Sequence, residues 1–241
     1  MSPRHRLPRS FYRRPTLTVA RELLGKRLVH VDRGRRLSGW IVEAEAYIGQ
    51  EDLGCHARVG RTERNRSMWG EPGHAYVYFT YGMHWCLNVV TEAAGRPAAV
   101  LLRALSAQEG IPTMRRRRGL DSSGQRGKAL SGALPGRSSG EAKPKGLADG
   151  PAKLCQALGI DGRLDGDDLC RAGARLFIED GPALPPGAIA RGPRVGLNRV
   201  PEPWKSKPWR LRVKREAGAF DPVASGQWSV VRTRNPKWTD R

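Results

Sequence analysis

The pattern of apolar and polar positions predicts a succession of short strands. Apolar residues alternate with polar ones, or form short continuous runs, at residues 27–31, 40–48, 75–79, His84–Val90, 98–105, 175–178 and 209–213. In the last of these, apolar and basic residues alternate, so one face is expected in the core and the other in water or on phosphate. The chain has no internal repeat and no glycine-rich phosphate loop.

Two short helices are predicted between these strands. Residues 18–24 carry apolar side chains at helical spacing, with Gly25 as the stop. A second helix is expected from Pro151 to the stop at Gly159, with Asp149 as its N-cap. Its buried stripe is predicted to be Leu154, Cys155 and Leu158. Mixed strands and short helices favour an α+β domain with a largely antiparallel sheet.

The strand at 40–48 predicts two faces of opposite character. Because residues two apart share a face of a regular strand, one face is expected to be apolar and the other acidic. The apolar face would hold Val42, Ala44, Ala46 and Ile48, and the other face Ile41, Glu43, Glu45 and Tyr47. The acidic face is either a solvated edge with ion-paired carboxylates or a carboxylate placed beside an aromatic wall in a site.

A β-hairpin is predicted at residues 75–90, with Tyr81 just before Gly82 at its tip. Glycine supplies the positive φ that a tight turn needs. A large aromatic residue at such a tip has no core to fill. Tyr81 is therefore either a wedge that enters a stacked duplex or, like Tyr76 and Tyr78, an ordinary strand aromatic.

The charge of the chain favours a polyanionic partner. Lys and Arg number 43 against 23 Asp and Glu, which gives a formal charge of +20. Counterion release from phosphates would drive such binding, and DNA, RNA and an anionic membrane surface all fit it. No apolar run has the length of a membrane span, and no signal peptide is evident. The expected location is the cytoplasm.

The four cysteines are scattered without a metal-binding spacing, so we expect reduced thiols, no metal and no cofactor. The length of 241 residues fits a single domain spanning residues 1–241. We expect a basic N-terminal arm at 1–14, a mobile basic insert at 117–148 and a C-terminal tail at 217–241 without a recognised motif. The insert begins within the run of four arginines at 115–118 and is rich in Gly, Ser, Lys and Pro. Apolar residues of the tail are expected to pack on the sheet.

Several ordered motifs resemble the alkyladenine (3-methyladenine) DNA glycosylase family. They are IVEAEAYIG at 41–49 with His56, RNR at 64–66 with Met68, YVY at 76–78, YGM at 81–83, Cys86 with Asn88, VLLRAL at 100–105, GPAKLCQAL at 150–158 and RVG at 194–196. Together they cover roughly residues 11–115 and 149–215. His84 and Trp85 stand where the family is expected to carry other aromatics.

The resemblance implies a role for each matching residue. It assigns the general base that activates water to Glu45, and contacts around that water to Arg103, His56 and the backbone carbonyl of Val195. The other positions match base-binding and DNA-binding residues: Tyr47, His56 and Tyr78 as walls that stack on the flipped base, Asn88 against the exocyclic amino group of guanine, Tyr81 in the gap left in the duplex, and Met68 as a minor-groove contact.

What the resemblance implies for function is a monofunctional DNA glycosylase of base excision repair, acting as a monomer on double-stranded DNA that contains damaged purines. The expected substrates are lesions such as 3-methyladenine, hypoxanthine or ethenoadenine, and the product is an abasic site. The implied fold has a curved, barrel-like sheet with flanking short helices and a protruding hairpin. Lys153 is the candidate for an additional Schiff-base mechanism, but a phosphate contact explains it more simply.

A non-catalytic DNA- or RNA-binding module of the same fold is the alternative. Glu45 discriminates between the two, because a pure binder gains nothing from a carboxylate directed at a polyanion. An oxocarbenium-like sugar, by contrast, is stabilised by an anionic carboxylate that also deprotonates water.

Overall fold

The computed structural model describes residues 5–120, 146–185 and 187–214, and the backbone alone at 221–222 and 228–229. These residues form an α+β fold around a curled antiparallel sheet, as predicted. The strands are β1 (Arg27–Asp32), β2 (Arg35–Ile48), β3 (Ala75–Thr80), β4 (His84–Val90), β5 (Ala98–Glu109), β6 (Leu176–Glu179), β7 (Ile189–Gly192) and β8 (Arg210–Val213), with a separate pair β9 (Asp221–Pro222) and β10 (Trp228–Ser229).

The long strand β2 organises the sheet. The strand order is β3-β4-β5-β2-β1-β6, and every recorded pairing is antiparallel. β1 covers the first half of one edge of β2, and β8 takes over the same edge at Glu43–Glu45, with β7 outside it. The central part of β2 is therefore paired on both edges, which fixes the backbone that carries its carboxylates.

Two β-bulges, one on β2 and one opposite it on β5, change which side chains of β2 face the core. Ile41 pairs with Leu105, Glu43 with Ala104 and Ala44 with Leu102, so Val42 on β2 and Arg103 on β5 are extra residues. A bulge shifts the alternation of side chains by one residue. Ile41 consequently joins the core together with Ala44, whereas Val42 does not, contrary to the regular alternation predicted from sequence.

The two predicted helices, α2 (Thr16–Leu23) and α4 (Pro151–Leu158), lie close to their predicted positions. The structure adds two helices that were not predicted, α1 (Arg9–Tyr12) and α3 (Ile111–Arg117), and 3₁₀ helices at His56–Val59, Glu63–Trp69 and Gly162–Leu164. Glycines in the left-handed region follow α2 and α4, at φ 84° for Gly25 and 72° for Gly159. The N-cap of α4 is Gly150, not Asp149, whose carboxylate instead accepts a hydrogen bond from Lys153.

Parts of the chain expected to be mobile or to form an arm are packed. Three of the four consecutive arginines lie in α3, which packs against α4. Leu147 and Ala148 are buried, and residues 121–145 of the predicted insert lie outside the described residues. In the basic N-terminal segment, Leu7 and Tyr12 are buried. Most of the tail at 217–241 also lies outside the described residues, so the packing of its side chains stays a prediction.

The two faces of the sheet bury two different clusters. The larger one joins α2 and α4 to β1, β2, β4 and β5. The smaller one, on the other face, contains Cys55, Ala57, Met68, Tyr76, Val90 and Ala99, with Tyr47, Trp69 and Tyr78 packed against it. Of the candidate site residues, Met68 thus belongs to the smaller cluster, and Tyr47 and Tyr78 pack against it. In the described part of the chain, no helix is long and apolar enough to cross a membrane.

Candidate active site

Glu45 is a buried carboxylate whose two oxygen atoms have separate partners. Its residue exposure is 0 %. The backbone N–H of Val195 donates to Oε1 at 2.8 Å, and the Tyr47 hydroxyl donates to Oε2 at 2.9 Å. The Arg103 Nη1 also lies 3.3 Å from Oε2. A carboxylate held by a loop amide, a phenol and a guanidinium has a fixed orientation.

Arg103 reaches this carboxylate because it is the extra residue of the bulge in β5. Its Nε donates to Glu43 at 3.0 Å while its Nη1 faces Glu45, so one guanidinium binds both carboxylates of the strand. Glu43 is further shared with Arg210, 3.9 Å away. The two acidic residues therefore differ in exposure and partners: Glu45 is fully buried and Glu43 is partly exposed.

Burial raises the pKa of Glu45, and the nearby charge of Glu43 adds to this effect. Arg103, the Val195 N–H and the Tyr47 hydroxyl all lower it again, because they stabilise the ionised form. The outcome is a pKa above the ordinary value for a glutamic acid, which makes the carboxylate a stronger base than an exposed one. Its partners donate hydrogen bonds to it, so they favour the ionised form that a base needs.

A buried ion pair anchors the loop that supplies the Val195 amide. Arg194 and Asp52 contact each other through both guanidinium nitrogens, at 2.5 and 2.7 Å, and both side chains are 0 % exposed. Arg194 also donates to the Ala46 carbonyl at 3.0 Å and lies 4.7 Å from the Tyr47 ring centroid. The pair thus connects the loop before Val195 to the strand that carries Glu45.

The Asp52–Arg194 pair had no role in the sequence-based prediction. Its members are separated by 142 residues, and neither position carries a local signal that pairs it with the other. Arg194 did stand in a matched motif, beside Val195. The predicted contact was the Val195 carbonyl with water, whereas the contact found is its N–H with Glu45; the role of the carbonyl stays a prediction.

Three aromatic side chains and one imidazole form a wall beside Glu45. Tyr47 packs with Tyr78 against the smaller cluster, where Tyr76 is buried. The His56 ring contacts the Tyr78 ring edge-to-face, with 4.6 Å between centroids. The His56 Nδ1 shares a 2.8 Å hydrogen bond with the Tyr76 hydroxyl. The structure therefore brings the predicted walls Tyr47, His56 and Tyr78 together and adds Tyr76, which orients the imidazole.

His56 is neutral at physiological pH. Burial, together with the positive charges of Arg64 and Arg58, lowers its pKa to about 4. A neutral imidazole can stack and can share one hydrogen bond through each ring nitrogen, but its single N–H is too weak an acid to protonate a departing group. His56 is therefore suited to line the wall of the site and not to act as a general acid.

Asn65 holds the two 3₁₀ helices that present His56. Its amide nitrogen donates to the carbonyls of His56 and Gly60, at 3.1 and 2.8 Å. Its side-chain oxygen accepts the Thr62 N–H at 2.8 Å and the Trp69 indole N–H at 3.3 Å. Both N–H donors and both acceptor positions of the buried amide are used in this way, so the loop geometry is strongly specified.

Asn88 lies on β4 directly opposite Tyr76 on β3, and its side-chain nitrogen donates to the Tyr76 carbonyl at 3.0 Å. It is 4 % exposed. This bond fixes the side-chain amide next to the aromatic wall, where the sequence placed it. Its predicted contact with a guanine amino group stays a prediction.

The hairpin ends in the predicted turn. Thr80 accepts a hydrogen bond from the Met83 N–H at 3.2 Å, and Tyr81 and Gly82 have φ angles of 51° and 66°. Positive φ at both central positions is the geometry of a tight hairpin turn. The Tyr81 side chain is 84 % exposed. A non-glycine residue in the left-handed region is uncommon, so the backbone holds this aromatic ring out into solvent.

Two predicted DNA contacts, Met68 and Lys153, have partners within the protein, and their contacts with DNA stay predictions. Met68 is 2 % exposed and its sulfur lies 3.9 Å from the Cys55 sulfur, so it packs inside the smaller cluster. Lys153 of α4 is half-exposed and pairs with Asp149 at 2.9 Å. The described contacts do not join Lys153 to Glu45. Among the described residues, no group of three His, Cys, Asp or Glu side chains could hold a metal ion.

Comparisons with known proteins identify the family of this chain. Residues 10–217 match the family described as Methylpurine-DNA glycosylase (MPG). A provisionally named 3-methyladenine DNA glycosylase of Methanocella arvoryzae is 48% identical over 205 residues, covering 85% of this chain and 90% of that protein. A similarly named protein of Myxococcus xanthus is 43% identical over 208 residues, covering 86% and 90%.

The DNA-3-methyladenine glycosylase of Mus musculus is 43% identical over 213 residues, which cover 87% of this chain and 59% of the mouse protein. The family match includes β2 with Glu45, the hairpin with Tyr81 and the loop with Val195. Over most of its length, this chain belongs to the methylpurine-DNA glycosylase family and is a hydrolytic DNA N-glycosylase.

Proposed function

We propose that this protein excises alkylated purines such as 3-methyladenine from double-stranded DNA, acting as a monomer. It extrudes the damaged nucleotide from the duplex and hydrolyses its N-glycosidic bond. The observation that carries the proposal is the buried Glu45 carboxylate, held by Val195, Tyr47 and Arg103 beside an aromatic wall. A DNA-binding surface has no need of such a carboxylate.

In the proposed reaction, Glu45 removes a proton from a water molecule whose oxygen bonds to C1′ of the damaged nucleotide. The C1′–N bond breaks at the same carbon, and its electron pair leaves with the base. The sugar carries positive charge during this step, so an ionised Glu45 also stabilises it electrostatically. Arg103 keeps Glu45 ionised, since its positive charge lowers the pKa that burial raises.

The aromatic wall is suited to hold the extruded base. A base must leave the stack before an enzyme can reach C1′, which costs a few kcal/mol. Stacking on Tyr47, Tyr78 and His56 offsets that cost, at about 1–3 kcal/mol for each base–aromatic contact. Tyr81, held outward at the hairpin tip, is the side chain proposed to fill the vacated place in the duplex.

The protonation state of His56 affects which lesions the protein excises quickly. A cationic base such as 3-methyladenine is already a good leaving group and needs no proton. Neutral lesions such as hypoxanthine or ethenoadenine need one as they depart. Because the pKa of His56 is about 4, its imidazole supplies no such proton at neutral pH. We therefore propose that cationic lesions are the faster substrates.

The test compares two neighbouring carboxylates that share Arg103. Short duplexes carrying one lesion each are incubated with the wild type, Glu45→Gln or Glu43→Gln, and abasic sites are read by alkaline strand cleavage under single-turnover conditions. Glu45→Gln is expected to lower the excision rate by about 10²–10⁴-fold, the usual contribution of a general base. Glu43→Gln, which removes the more exposed partner of Arg103, is expected to cost less than about tenfold.

Three outcomes decide the matter. Loss of excision in Glu45→Gln alone supports the assigned base. Full excision by Glu45→Gln would refute Glu45 as the general base, although the protein would still be a glycosylase. Wild-type binding of the lesion duplex without an abasic product would instead establish the non-catalytic module.

A further inference from the structure

A cavity of about 280 Å³ has none of the active-site residues in its lining. Its lining comes from the β1–β2 turn and from α3: Asp32, Arg33, Arg35, Thr113, Arg116 and Arg117. Four of the six lining residues are arginines, and one more offers a hydroxyl donor. Nothing in the proposed reaction at Glu45 uses any of them.

The cavity is preformed because its two walls are fastened together. The Arg117 guanidinium contacts the Asp32 carboxylate, which neutralises the only acid of the lining. Arg117 also donates to the Ala157 carbonyl of α4 at 3.5 Å, so the helix wall is tied to a second element. The other wall is the tight β1–β2 turn, whose backbone conformation is defined by the positive φ angles of Arg33 and Gly34, 49° and 73°.

The remaining charge of the cavity is positive and unbalanced. Arg33, Arg35 and Arg116 are exposed, and within the described part of the chain no carboxylate is paired with any of them. Like charges brought to one concave surface repel each other, and an anion relieves that repulsion. Guanidinium groups present planar pairs of N–H donors that match phosphate oxygens.

We propose that this cavity binds a phosphate group, presented either by the backbone of a second DNA segment or by a free polyphosphate. Arg33, Arg35 and Arg116 supply the charge, and Thr113 supplies a neutral hydroxyl donor. The role of Arg117 is structural: its ion pair with Asp32 holds the wall of the cavity in place.

Distance separates this site from the lesion. Arg35 begins β2 and Glu45 lies ten residues further along the same strand, so about 30 Å separates them at roughly 3.3 Å per residue. A 13-bp duplex centred on a lesion extends only about 20 Å to either side of it, at roughly 3.4 Å per base pair. A phosphate in the cavity therefore belongs to another molecule when the substrate is this short.

The experiment uses the triple variant Arg33→Gln/Arg35→Gln/Arg116→Gln, which leaves Arg117 and Asp32 intact. Protein bound to an immobilised 13-bp lesion duplex is exposed to a second, fluorescent duplex without a lesion, and the retained fluorescence is measured. A parallel titration follows inorganic pyrophosphate by the NMR signals of the arginine Nε–H groups. Urea unfolding of both proteins verifies that the exposed substitutions leave the fold intact.

A second triple variant removes the same charge from exposed arginines outside the cavity: Arg13→Gln/Arg21→Gln/Arg171→Gln. Loss of second-duplex retention by at least about tenfold in the cavity variant alone, with single-turnover excision within twofold of wild type, supports a DNA phosphate. Pyrophosphate binding that needs the cavity arginines, without second-duplex retention, supports a free polyphosphate. Equal losses in both triple variants, or no phosphate binding in either assay, would overturn the proposal.

Discussion

The neutral His56 makes the stability of the protein depend on pH in a way that can be isolated. The pKa of His56 is lowered from 6.5 to about 4 in the folded state, chiefly by burial and then by Arg64 and Arg58. In the unfolded chain the imidazole regains its ordinary pKa. Between these two values the unfolded chain binds a proton that the folded protein does not, so lowering the pH favours unfolding.

The size of the effect follows from that interval. At roughly 1.36 kcal/mol for each pH unit, the interval between 6.5 and about 4 corresponds to about 3 kcal/mol of unfolding free energy lost on acidification. His56→Asn keeps a polar group near the position of Nδ1, within reach of the Tyr76 hydroxyl, and does not titrate. Subtracting the variant from the wild type removes the contributions of all other titrating groups.

The assay is urea unfolding of the wild type and His56→Asn at several pH values from 7 to 4. The free energy of unfolding of the wild type, relative to the variant, is expected to fall by up to about 3 kcal/mol across this range. A difference that stays constant with pH would show that His56 ionises in the folded protein with an ordinary pKa. In that case the argument that His56 stays neutral until the pH falls to about 4 would fail.

The remaining predictions concern the pH profile and the hairpin. Because only an ionised Glu45 can accept a proton, the single-turnover excision rate is expected to fall as pH is lowered through its raised pKa. Asp52→Asn, which weakens the anchor of the Val195 amide, should move this acid limb to higher pH, whereas Glu179→Gln in another ion pair should leave it in place. Tyr81→Ala should keep non-specific DNA binding and lose most excision, while Tyr81→Phe keeps both; unchanged excision by Tyr81→Ala would refute the wedge.

Local sequence signals predicted the elements whose geometry is local. The turn at Tyr81 and Gly82 follows from the positive φ that glycine permits beside an aromatic residue, and the structure has it. The ends of α4 at Pro151 and Gly159 follow from the same kind of reasoning. The carboxylate strand was also predicted, because apolar and acidic residues alternate along it.

The errors arose where distant parts of the chain decide the outcome. A bulge cannot be read from one strand, because it is defined by the pairing partner, and so Ile41 was placed on the wrong face of β2. The burial of Met68 was likewise not foreseen, because a motif match carries no information on packing; its groove contact stays a prediction. Arg117, at the start of the predicted mobile insert, instead ends α3, which packs against α4.

Val195 combines a side chain that is 45 % exposed with a backbone amide bonded to a buried carboxylate. Exposure of the residue therefore gives no guide to how fast its amide hydrogen exchanges with solvent. Exchange requires the loop to open away from Glu45, and the fully buried Asp52–Arg194 pair opposes that opening. The slow exchange of a single loop amide thus measures, in the resting protein and without any substrate, the fraction of molecules whose carboxylate is correctly held.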